Sequence, residues 1–146
     1  MSEQNLDPGI VEKLIREAEQ LLSNSYAPYS GIHVASAILA ESGRVYYGVN
    51  VENSSYGLTI CAERSAISAM VTGGDKKPVL VVIVADTDEP IPPCGACRQV
   101  ISEFNPEAKV VLYSVKSGKR VVTSLSELLP YVFRLKTTSA EQPRIL

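Results

Sequence analysis

The sequence predicts an α/β fold, a three-layer α/β/α sandwich with a five-stranded mixed sheet between helices. Three observations predict it. Five short apolar runs are bounded by Gly, Ser and Pro, as strands are. Longer apolar segments between them read as helices, the first with clear helical periodicity. The two kinds alternate as helix, two strands, helix, strand, helix, two strands and a short helix. The 146 residues suffice for one domain with its own core, and no repeat, low-complexity block or linker divides residues 1–146.

The first helix opens at Asp7-Pro8, an N-cap followed by Pro at the first helical position. Leu6 is placed to pack on Val11 as a hydrophobic staple. Ile10, Val11, Leu14, Ile15, Ala18, Leu21 and Leu22 give the helix one buried face, and Ser23-Asn24-Ser25 with Pro28 end it. Residues 33–40 and 44–51 read as an antiparallel hairpin turning at Ser42-Gly43. Asn50 and Glu52, two apart in an extended chain, share a face. Residues 53–59 are small and polar, hence a loop.

Residues 62–71 form a helix closed by Gly73-Gly74, with apolar residues nearly all round it, which predicts deep burial. Residues 79–85 are continuously apolar, as in a central strand covered on both faces. An acidic, Pro-rich loop follows over 86–93, then a helix over 95–104 limited by Pro106. Residues 109–115 and 120–123 are the last two strands, around Ser117-Gly118. Ser124 and Glu127 have capping-box spacing ahead of a short helix stopped by Pro130. From Arg134 the tail is polar and expected to be loosely held.

Composition narrows the function. The net charge is −2, against a nucleic-acid binder that relies on a broad basic surface. No apolar run approaches the roughly 18 residues of a membrane span. The start, Met1-Ser2-Glu3-Gln4, has no signal-peptide core. Three cysteines, an odd number, suit a reducing interior better than a disulfide framework. A cytoplasmic location is expected.

All three cysteines lie in two short motifs, Cys61-Ala62-Glu63-Arg64 and Pro93-Cys94-Gly95-Ala96-Cys97-Arg98-Gln99. Cys94 and Cys97, three apart at a helix start, bring both sulfurs to one face. Free N–H groups and the helix dipole there favour thiolates. Cys61 and Glu63, two apart, would point to nearly opposite sides of a regular helix. Cys61 is therefore expected at the cap, with Glu63 in the first turn leaning back toward it. Two helix N-termini thus converge on one site.

Three thiolates hold Zn²⁺ and leave the fourth tetrahedral position open for water, whose pKa zinc brings toward about 7. Three cysteines with a non-ligating Glu ahead of P-C-x-x-C form the described zinc deaminase signature. That signature implies that water at the metal would attack C4 of a cytosine ring, with Glu63 expected to take its proton, deliver it to N3 and later protonate the departing amine. Three thiolates around one Zn²⁺ leave a net charge of about −1, which weakens the Lewis acid. Arg64 is the cation placed to offset it. The lone histidine, His33, sits at a strand start and far from these motifs in sequence.

From Tyr26 to about Phe133 the chain resembles the cytidine deaminase family in its small, homotetrameric form. The resemblance rests on Tyr26-Ala27-Pro28-Tyr29-Ser30, Gly48-Val49-Asn50-Val51-Glu52-Asn53, the two cysteine motifs and Leu128-Leu129-Pro130. It implies one zinc per subunit on Cys61, Cys94 and Cys97, Glu63 as the proton shuttle, and Arg64 hydrogen-bonded to the thiolates. It implies that Asn50 and Glu52 bind the ribose 3′-hydroxyl and that the backbone around Ala62 contacts the base. Tyr56 would reach the sugar of a neighbouring subunit's substrate, and Phe133 would cover the base across an interface. The reaction implied is hydrolysis of cytidine and 2′-deoxycytidine to the uridine forms, in pyrimidine salvage.

One stretch departs from the family. Where it usually has Phe-Pro-Val-Gly, this chain has Ile32-His33-Val34-Ala35, so Ile32 packs near the pyrimidine without a π-face. Losing such a stack costs on the order of 1 kcal/mol. Residues 34–37 also resemble the blasticidin S deaminases, which makes deamination of a modified cytosine nucleoside the second reading. A zinc-stabilised interaction module is the non-enzymatic one. An editing deaminase on DNA or RNA is disfavoured by the acidic balance.

Overall fold

The computed structural model describes residues 6–137 and 143–144. Helix α1 spans Pro8–Leu21, and the Asp7 side chain accepts from the Gly9 N–H as its cap. Strands β1 (Val34–Ala40) and β2 (Val45–Val49) form the expected hairpin. Helix α2 spans Ala62–Thr72, β3 Pro78–Ala85 and α3 Gly95–Phe104. Strands β4 (Lys109–Ser114) and β5 (Arg120–Ser124) precede α4 (Leu125–Leu128), which Ser124 caps through the Glu127 N–H. The polar tail lies largely outside the described residues. Within them, Lys136–Thr137 (β6) pairs antiparallel with Pro143–Arg144 (β7).

The sheet order is β2-β1-β3-β4-β5. Only β3 and β4 are parallel, joined by the α3 crossover, so the sheet is mixed as expected. Central β3 is buried on both faces, and its side chains alternate between two clusters. Val81, Ile83 and Ala85 face α2 and α3, with Ile67, Met70 and Ile101. Leu80, Val82 and Val84 face α1, with Leu14, Ile15 and Ala18. Each such Val, Leu or Ile contributes about 1.5–3 kcal/mol of burial. This places the core directly beneath both cysteine-bearing helices.

Two expectations need correction. Helix α2 buries one face only: Ala62, Glu63, Ala66, Ile67 and Met70 are buried, while Val71 is exposed. Its outer side has no layer above it. Strand β2 stops at Val49, so Asn50 and Glu52 are not on a regular strand face. Asn50 turns inward and is 8% exposed, while Val51 makes only isolated bridges to Tyr26 and Ile60.

Gly48 explains how α2 comes so near β2. A Cβ built there would lie 2.4 Å from the Ala66 nitrogen and 2.5 Å from the Ala62 carbonyl oxygen. Helix backbone therefore rests on strand backbone, one turn from Cys61. Gly48→Ala must push α2 outward. It is expected to destabilise the fold by about 1–3 kcal/mol in chemical denaturation, the range for overpacking. Unchanged stability would show that α2 yields freely there.

Candidate metal centre and active site

Cys61 is the N-cap of α2 and Cys94 the N-cap of α3, both with extended backbone. Cys97 lies in the first turn of α3 and is buried. The sulfurs of Cys61 and Cys94 are 3.7 Å apart and those of Cys94 and Cys97 3.4 Å. All three lie within 4.8 Å of one another. Zinc–sulfur bonds of about 2.3 Å at tetrahedral angles place sulfurs about 3.8 Å apart. The cluster therefore fits zinc. Among the described residues, no fourth His, Cys, Asp or Glu joins it.

Hydrogen bonding from Cys97, then the Arg64 guanidinium, holds the Cys61 thiol well below the usual range against the cost of its burial. Cys97 is pushed up, chiefly by the same bond to Cys61 and by burial. The sulfurs share protons and charge as one unit. Arg64 Nη2 donates to the Thr59 carbonyl at 3.4 Å and lies 3.7 Å from the Cys61 sulfur. Its Nε is buried without a hydrogen-bond partner among the described residues. The guanidinium thus stands beside the Cys61 sulfur.

Glu63 is 4% exposed, in the first turn of α2. Burial pushes its carboxyl up to about 7, and the charge of Cys61 adds to this. Its own backbone N–H, Cys97 and Arg64 pull the other way. A carboxyl near neutrality can both take and give a proton.

Cys61, Cys94 and Glu63 line a cavity of about 260 Å³. Ser30, Ile32 and Val34 line it from one segment and Ile91 and Pro92 from another, with Ile83 of β3 and Ala62 of α2. Asn50, Glu52 and Thr59 bring polar atoms to it. Apolar walls with a few convergent polar groups suit a small, flat, partly polar ligand. A second chamber of about 320 Å³, lined by Tyr29 and Tyr56, shares Ser30, Glu52 and Thr59 with the first.

The other anticipated site residues divide. Ile32, Asn50, Glu52 and Ala62 line the main cavity. Tyr56 lines only the second chamber, edge-on to Tyr29 with ring centroids 5.9 Å apart. Phe133 lines neither chamber and is 64% exposed. His33 stands away from the sulfurs and pairs with Asp86. Asn50 donates to the Ile32 carbonyl at 2.8 Å and accepts from the Val34 N–H at 3.0 Å and from the Ser25 hydroxyl. Glu52 accepts from the Tyr29 and Ser30 N–H groups, both at 3.0 Å, and from the Ser30 hydroxyl. Those bonds hold the Glu52 carboxyl below its ordinary range, the Ser30 hydroxyl first among them. Both residues thus shape the loop over the cavity.

Sequence reasoning missed the apolar walls and Arg98. Arg98 Nε donates to the Pro93 carbonyl at 2.7 Å and Nη1 to the Leu128 carbonyl at 2.8 Å. It braces the approach to Cys94. Its one signal was its place directly after a ligand cysteine.

Residues 9–114 match the sequence model of the family described as the cytidine and deoxycytidylate deaminase zinc-binding region. The chain belongs to the cytidine deaminase family. It is similar to a cytidine deaminase of Sporosarcina psychrophila, 45% identical over 135 residues, covering 90% of this chain and 98% of that one. The crystal structure of a cytidine deaminase from Burkholderia pseudomallei superposes with a TM-score of 0.79 at 42% identity, covering 84% of this chain and 98% of that one. A blasticidin-S deaminase of Bacillus cereus is more distant, 34% identical over 106 residues and covering 67% of this chain and 74% of its own. The family's zinc-binding region contains all three cysteines and Glu63.

The purified chain is therefore expected to carry a single zinc, measured by atomic absorption after dialysis. Cys97→Ala should retain none. Full zinc retention by that variant would contradict the three-sulfur site.

Proposed function

We propose that this chain is a zinc-dependent hydrolase that converts cytidine and 2′-deoxycytidine to uridine and 2′-deoxyuridine with release of ammonia. One observation carries the reading: three sulfurs spaced for one zinc stand beside a buried glutamate that lines a ligand-sized cavity. Cys61, Cys94 and Cys97 would hold the metal, which supplies water acidified toward a pKa of about 7.

The chain's own groups do the rest. The apolar walls, Ile32 among them, take the pyrimidine, and the backbone at Ala62 meets its edge. Asn50 and Glu52 hold the ribose 3′-hydroxyl. Glu63 accepts a proton from water as the oxygen adds to C4, and passes it to N3. It then takes the second proton from the hydroxyl now on C4 and delivers it to N4 as the C4–N4 bond breaks, leaving a C4 carbonyl and ammonia. Arg64, donating toward Cys61, draws charge from the sulfurs.

We infer a homotetramer in which Tyr56 and Phe133 complete the sites of neighbouring subunits. Their exposure, 75% and 64%, supports this, since neither closes its own main cavity. No described helix is long and apolar enough to cross a membrane. We infer a cytoplasmic enzyme of pyrimidine salvage that acts on free nucleosides, with no nucleic-acid partner. Blasticidin S ranks second as substrate, on its lower identity and shorter shared length.

Glu63→Gln tests the reading. The variant should fold, hold zinc and lose about a hundredfold or more of its turnover, the usual contribution of general acid–base catalysis. The measurement is the absorbance change of cytidine on conversion to uridine. Undiminished turnover would remove Glu63 from the mechanism. A zinc-loaded wild type inert to cytidine but active on blasticidin S would reverse the ranking of substrates. Inertness to both would favour an interaction module.

A further inference from the structure

We propose that His33 and Asp86 form a latch that positions the two walls of the cavity and so sets nucleoside affinity rather than the chemical step. His33 Nδ1 lies 2.7 Å from Asp86 Oδ2. The His33 N–H donates to Asp86 Oδ1 at 2.9 Å, and the Asp86 N–H donates back to the His33 carbonyl at 3.1 Å. Three bonds thus join two residues 53 apart in sequence.

Their place gives the latch its role. Val34 and Ala85 are the last paired residues of β1 and β3 at this end of the sheet. His33 and Asp86 lie one step beyond, where the two chains part. From His33 the chain runs back to Ile32 and Ser30, one wall of the cavity. From Asp86 it runs on to Ile91, Pro92 and Cys94, a second segment lining the same cavity. Each wall is anchored separately elsewhere. Asn50 grips the Ile32 carbonyl and the Val34 N–H. Ser114 donates to the Thr87 carbonyl, and Lys119 pairs with Glu89. The latch joins wall to wall.

His33 lines neither chamber and lies outside the sulfur cluster. It acts through its neighbours Ile32 and Val34, which makes it a positioning residue. A carboxylate–imidazole bond at this distance is charge-assisted whenever the ring is protonated, and directional in either state. Small displacements of cavity walls weaken binding, since a gap of about 0.5–1 Å already forfeits about a quarter to a half of a dispersion contact.

The inference rests on the cavity being the nucleoside site, which wild-type turnover of cytidine establishes or refutes separately. With active wild type, His33→Ala is expected to raise KM for cytidine about tenfold through lost wall contacts, with kcat within about twofold. His33→Gln, which keeps an N–H donor, should restore most of the loss. The double variant with Asp86→Asn should be no worse than either alone. Because the chain has one histidine, its imidazole C–H signals in NMR give a direct readout, and uridine should shift them in the wild type. If His33→Ala fails to fold, the near-isosteric Asp86→Asn carries the same expectation for KM. Unchanged KM in both folded variants overturns the latch, as does a fall in kcat at constant KM. An inert wild type would overturn the nucleoside reading instead.

Discussion

Two helix starts meet at three sulfurs, and the rest of the molecule serves to hold them there. An isolated cluster of thiolates repels itself and a lone buried carboxylate takes up a proton. Here the fold gathers three thiols within 4.8 Å of one another beside the buried Glu63, and the groups compete for protons. Cys61 is pulled down, while Cys97 and Glu63 are pushed up. A dication resolves that competition, because each sulfur can then ionise. The electrostatic strain of the cluster and its affinity for zinc are one property.

Rigidity comes from layers beneath. Helix α2 lies on β2 across Gly48, and α3 lies over the same apolar cluster as Val81 and Ile83. A sheet strand buried on both faces opens only with the whole domain. Cys61 and Cys94 sit at the caps, where the backbone leaves regular structure, yet each is one residue from a packed helix. Precision at the metal thus follows from close packing, while loops supply the cavity walls.

Much of this was legible in the amino-acid order. Gly and Pro punctuation marked the helices and strands to within a few residues, and Asp7 and Ser124 marked two caps. The spacing of Cys61 and Glu63 alone required the cap position that the structure shows. Arg64 was legible from charge balance. What stayed hidden is non-local. Ile91, Pro92 and Ile83 meet Ile32 only because β3 lies beside β1. Asn50 and Glu52 read as a strand-face pair, but β2 ends early, and their bonds go to residues 16 to 25 positions away. Arg98 bonds carbonyls, which carry no residue-specific signal.

The central claim is a zinc held by three sulfurs with one position left for water. X-ray absorption at the zinc edge of the purified protein tests it most directly. The account predicts three sulfur neighbours at about 2.3 Å and one lighter atom at about 2.0 Å. Four protein ligands filling the shell, or no zinc in active protein, would contradict it.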